Sequence, residues 1–116
     1  MSKVNILLKK FSKSPFGRYK EDSKYSGEVF RDSILVPALK GEGLVEVDLN
    51  DLDVELGSSF LEETFGGLIR THKFSKDDLD NRLIIISDDS YDKQRIMKYI
   101  AKAALSNQGY AARNYR

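Results

Sequence analysis

The sequence predicts one small α/β domain, a sheet with crossover helices, on the strength of three observations. Its 116 residues suffice for one core and not for two. Apolar residues make up 41% and charged residues 32%, a globular balance. Stretches that read as strands alternate with stretches of helical periodicity, an order that argues for a small sheet with helices between its strands.

The first stretch, Val4-Asn5-Ile6-Leu7-Leu8, is a short apolar run suited to a first or edge strand. Residues 11–25, rich in Lys and Ser and containing Pro15 and Gly17, read as a loop or irregular hairpin. A helix is expected from Ser26, a good N-cap, with Glu28 in its first turn and Val29, Phe30, Ile34, Leu35 and Ala38 on its apolar side. Pro37 lacks an amide proton, so this helix either kinks or ends its regular bonding just before it. Residues 44–49, Leu-Val-Glu-Val-Asp-Leu, alternate apolar and acidic side chains and predict a strand.

After an acidic connection, a helix is expected over residues 59–70, with Phe60, Leu61, Thr64, Phe65, Leu68 and Ile69 on a broad apolar face. Gly66 and Gly67 lie inside it, each costing about 1 kcal/mol relative to Ala. Close approach of the helix backbone to the sheet is the expected compensation. A buried-type strand follows over residues 81–87. Asp88, Asp89 and Ser90 offer caps for a last helix whose apolar side is Ile96, Met97, Ile100, Ala103 and Ala104, ending near Gly109. The core spans about residues 4–104, and residues 105–116 form a basic tail.

Composition excludes several classes of function. There is no cysteine, hence no disulfide or thiolate metal site. The longest apolar run, Leu83-Ile84-Ile85-Ile86, is far short of a membrane span, and Lys9-Lys10 interrupt anything resembling a signal peptide. A cytoplasmic protein without membrane contact is the expectation. Nucleotide loops, Ser/His/Asp arrangements and zinc spacings are missing from the sequence, so neither an enzyme nor a cofactor or metal is predicted. His72, the only histidine, falls just past a helix end, where capping is the expected use. Asp48, at a strand end, suits turn chemistry.

The net charge of +1 hides segregation: +5 through Lys40, −8 over residues 41–69, −1 over 70–91 and +5 from Asp92 onward. The acidic middle reads either as a solvated face or as a surface that selects partners by charge. The basic C-terminal region has Lys93, Arg95, Lys98, Lys102, Arg113 and Arg116 interleaved with Tyr110 and Tyr115, a composition that nucleic-acid binders use. Nucleic-acid contact through these residues is the alternative functional reading.

The most informative unit is Gly57-Ser58-Ser59-Phe60-Leu61 at a strand–turn–helix junction. Ser59 followed by Glu62 matches a capping box, which leaves the Ser58 hydroxyl uncommitted near the positive end of the helix dipole. A phosphoryl group on Ser58 would gain backbone donors. It would also add roughly −1.5 to −2 charges close in sequence to Asp51, Asp53, Glu55, Glu62 and Glu63.

These residues, with Val45 to Leu49 before them and Glu62-Glu63-Thr64-Phe65-Gly66-Gly67-Leu68-Ile69-Arg70 after, resemble the STAS-like domain family of unknown function. That family is similar to the STAS domains of bacterial anti-sigma-factor antagonists. The resemblance implies a mixed sheet of four to five strands with helices mainly on one face. It also implies a non-enzymatic regulatory interaction module of a bacterium or phage. In the antagonists, a serine in an Asp-Ser-Ser-Gly-Leu turn is phosphorylated by a histidine-kinase-type ATPase. Ser58 matches that phosphoacceptor, Ser59 its neighbour and Leu61 the leucine, while Gly57 and Phe60 replace Asp and Gly. The expected partner surface is Ser58, Ser59, Phe60, Glu62 and Glu63, with Phe60 either filling the core or anchoring a partner. The expected partner is such an ATPase, and a homodimer is the other assembly considered.

Overall fold

A computed structural model describes the backbone of residues 2–113 and the side chains of residues 2–106. In chain order the elements are β1 (Lys3–Leu7), α1 (Leu8–Phe11), α2 (27–40), β2 (Leu44–Asp48), α3 (58–70), α4 (Lys76–Arg82), β3 (Leu83–Ile86) and α5 (Ser90–Arg113). Among the described residues the sheet has three strands in the order β1-β2-β3, all parallel, where a mixed sheet of four to five was expected. Ile6 pairs with Val47, and Val47 with Ile85.

Burial alternates along β2 as its pattern requires. Val45 and Val47 are fully covered, while Leu44, Glu46 and Asp48 are half-buried. The covered side meets Phe30, Leu35 and Leu39 of α2, Phe60, Leu61, Phe65 and Leu68 of α3, and Ile96 and Ile100 of α5 in one apolar cluster. At its centre the rings of Phe30 and Phe60 stack with centroids 6.1 Å apart, and Phe11 leans on Phe30 at 5.3 Å.

Both central helices contain a widened turn of π geometry. In α2, Ser26 caps as expected, its Oγ accepting from the Val29 N–H at 3.3 Å. The turn Arg31–Leu35 then opens the ladder, with the Val36 N–H reaching the Arg31 carbonyl five residues back. Pro37 follows immediately, in the first turn of the resumed helix, where a missing amide proton loses least. The helix therefore passes through Pro37 and ends at Lys40. In α3 the corresponding turn is Glu62–Gly66. The two helices cross closely where Gly27 lies on α3: a Cβ there would come within 2.6 Å of the Phe60 carbonyl oxygen.

Helix α4 is not expected from the sequence, and its last two residues take the place of the first two residues of the expected 81–87 strand, which begins at Leu83. Polar chemistry holds it: Ser75 Oγ accepts from the Asp78 N–H (3.0 Å), Lys76 pairs with Asp80 (2.7 Å) and Arg82 with Asp78 (3.1 Å). Arg82 also donates from Nε to the Gly43 carbonyl, anchoring α4 beside β2. Leu79 is its one buried side chain, so no apolar period marks it. In α5, Met97 is exposed and drops out of the expected apolar side. That helix runs past Gly109 to Arg113, a single glycine being tolerable in so long a helix. Among the described residues no helix is long and apolar enough to cross a membrane.

Candidate functional site

Gly57 sits at the N-cap of α3 in extended geometry (φ −78°, ψ 159°), so Ser58 and Ser59 are the first two helical residues. Starting one residue earlier than expected removes the capping box. Ser59 is too far into the helix to cap it, and no side chain caps this end. Both hydroxyls lack hydrogen-bond partners among the described residues, and both serines are exposed. The expected division of labour between a capping Ser59 and a free Ser58 is thus replaced by two free serines.

The serines lie in an open groove of about 540 Å³ whose walls include Pro15, Phe16, Val54 and Glu55. Phe16 is 59% exposed and Val54 43%, so two apolar side chains face solvent next to the hydroxyls. Phe60 also borders the groove but is only 1% exposed. Its ring fills the core against Phe30, which settles its two alternatives in favour of packing.

Glu62 and Glu63 belong to an ion-pair cluster. Glu63 accepts from Arg31 Nη1 at 2.6 Å, with Arg31 also donating to the Glu63 carbonyl at 2.9 Å; both side chains are nearly sealed from solvent. Arg18 bridges Glu62 (2.5 Å) and Glu63 (3.2 Å), and Arg70 does the same at 2.7 and 3.2 Å. At the far end Arg31 Nε holds Asp32, whose Oδ1 also lies 2.8 Å from His72 Nε2. Burial pushes the Glu62 carboxyl up, but hydrogen bonds from Arg70 and Arg18 outweigh it and leave the group below its ordinary range. Asp32 behaves alike, burial being outweighed by the bonds from Arg31 and His72.

This cluster corrects three expectations. Glu62 and Glu63 are engaged inside the fold and do not stand open on the partner surface. Gly66 and Gly67 make room for charged groups and not for the sheet: a Cβ on Gly66 would come 2.5 Å from Glu62 Oε2, and one on Gly67 would collide with the Arg31 guanidinium. His72 binds Asp32, and the terminal carbonyl of α3 is met instead by Lys73, whose Nζ donates to the Arg70 carbonyl at 3.0 Å. The sequence reading missed Arg18, Arg31 and Arg70; the adjacent glycines were their only trace.

Elsewhere Asp48 makes the expected turn, its Oδ1 accepting from the Asn50 N–H at 2.9 Å, and Asp89 starts α5 by accepting from the Tyr91 N–H at 2.9 Å. The basic residues of α5 divide. Arg95 donates to the Leu56 carbonyl and to Asp92, and lies over the Tyr91 ring at 4.9 Å. Lys93, Lys98 and Lys102 are exposed. The side chains of Arg113 and Arg116, and of the tail from residue 107 on, lie outside the described residues.

A three-stranded parallel sheet covered by two widened helices, one of which begins with two free serines, defines a small α/β domain with an open helix start. The chain belongs to the family described as the STAS-like domain of unknown function (DUF4325), whose model matches residues 26–93. Neither a curated protein nor a solved structure gives a significant match.

Proposed function

We propose that the chain is a non-enzymatic regulatory module of a bacterium or phage that docks a protein partner in the groove at the start of α3. The observation that carries this reading is the pair of exposed, unbonded hydroxyls on Ser58 and Ser59 beside exposed Phe16 and Val54. Apolar side chains supply contact area, and hydroxyls with no structural duty are free for a partner.

Ser58 is the proposed phosphoacceptor and a histidine-kinase-type ATPase the proposed partner class. The surroundings are less hostile to a phosphoryl group than the run of acids in the sequence suggests. Glu62 and Glu63 are neutralised by arginines and Asp51 by Lys9, leaving Asp53 and Glu55 as the nearby acids without an ion pair among the described residues.

The test is affinity capture of partners by wild-type protein, Phe16→Ala and Ser58→Ala, followed by incubation with ATP and mass spectrometry of the 57–61 peptide. The proposal expects a partner lost with Phe16→Ala and phosphate on Ser58 of the wild type. An unchanged partner set in Phe16→Ala would dismiss the groove, and an unmodified Ser58 would dismiss the phosphoacceptor role alone.

A further inference from the structure

A second opening, which shares no lining residue with the groove, lies between the 12–26 segment, α3 and α5. It is a cavity of about 370 Å³ walled by Arg18, Glu62, Arg70, Lys98, Tyr99 and Lys102. Four of these side chains are cationic and one is anionic. Glu62 is already spent on Arg18 and Arg70. Within the cluster behind the wall, the positive charges of Arg18, Arg31 and Arg70 match the negative charges of Asp32, Glu62 and Glu63. Lys98 and Lys102 therefore add two charges that no group among the described residues balances.

Both lysines line the same cavity. Lys98 and Lys102 are one turn apart on α5, so their stems lie side by side. Two ammonium groups held close together repel each other unless an anion lies between them. The arginines have donors to spare. Arg18 uses Nη1 for both glutamates, leaving Nε and Nη2 without partners, and Arg70 has Nε unused. The two-nitrogen grip of Glu62 on Arg70 sets that guanidinium plane in advance, and Arg18 is tethered through Nη1, which lowers the ordering cost of binding. Half-buried Tyr99 adds an aromatic wall.

We propose that this cavity binds a small organic phosphate monoester, its dianionic phosphoryl group between Lys98 and Lys102 within reach of the free Arg18 and Arg70 donors, and its organic part on Tyr99. The match is one of charge and shape: two uncompensated positive charges for a dianion, planar guanidinium donors for phosphate oxygens, and a ring for an apolar substituent. The site is separate from the serine groove and independent of the partner proposed for it.

Calorimetric titration of the full chain with phenyl phosphate, inorganic phosphate and a short single-stranded oligonucleotide tests it. The expected result is saturable one-to-one binding of phenyl phosphate, tighter than inorganic phosphate. Replacing both lysines (Lys98→Ala with Lys102→Ala) should weaken it by about tenfold or more, the loss of at least one charge-assisted hydrogen bond. Lys93→Ala, an exposed lysine of the same helix that does not line the cavity, should leave binding unchanged. Because Lys98 and Lys102 are exposed, the double variant should melt with the wild type, which separates lost binding from lost folding. Absence of saturation, equal affinity in the double variant, or an equal loss in Lys93→Ala would each overturn the proposal. Displacement of phenyl phosphate by the oligonucleotide at far lower concentration would do so as well, and would assign the lysines to a nucleic-acid backbone.

Discussion

Gly27 shows how much a single position decides in this fold. It lies where α2 meets α3, and a methyl group there would press within 2.6 Å of the Phe60 carbonyl oxygen and 2.9 Å of Thr64 Oγ1. The first of these is backbone, and the second is held by its own bond to the Phe60 carbonyl at 2.7 Å. Neither yields cheaply. Gly27→Ala should therefore destabilise the protein by about 1–3 kcal/mol, the usual cost of overpacking. Urea unfolding measures it, and a variant as stable as the wild type would mean that the helices can separate without loss. No local signal in the sequence marks Gly27, since a close crossing depends on a partner helix more than thirty positions away.

Among the elements, α2 and α3 are joined by Arg31 and Glu63, each carried on or beside a widened turn. Removing Arg31 takes the donor from Glu63 Oε2 and from the Glu63 carbonyl, both buried. Arg31→Met leaves Glu63 its ion pairs with Arg18 and Arg70 and should cost about 1–3 kcal/mol, while Arg31→Met combined with Glu63→Met should cost less than the two single losses added together. Stability measured across the four members of this cycle would show strong coupling; additive losses would rule out the pair as the link between the helices. The legibility of the elements follows the same division. The start of α2 and the strand β2 were readable because Ser26 and the Val45/Val47 alternation are local signals. Helix α4 was not, because it hides one apolar side chain and is held by polar contacts. The cluster was not readable either: residues 18, 31, 62, 63 and 70 come from three segments, and apolar periodicity is blind to charges that meet only after folding.

For the molecule as a whole, the cluster links stability to acid. Glu62 and Asp32 have folded-state pKa values below their unfolded ones, so their contribution is complete above the ordinary carboxylate range and lost as pH falls through the lowered values. The urea midpoint should hold steady from neutral pH to about 5 and fall below about 4. Glu62→Gln should be less stable at neutral pH and flatter in acid; parallel curves for variant and wild type would remove Glu62 from the acid response. Asp32, half-exposed, is the weaker contributor because solvent screens it. The two widened turns have a further consequence, for the length of the chain. Each helical residue turns the chain by about 100°. Each widened turn holds one residue more than an α turn, so excising one residue from 31–35 or 62–66 would close it to ordinary α geometry and leave the downstream face in register, whereas a deletion elsewhere inside these helices would rotate everything after it by that angle. Relatives of this chain should show single-residue gaps inside these helices at the two widened turns, and alignments of the family should place longer insertions and deletions in the 12–26 and 49–57 connections.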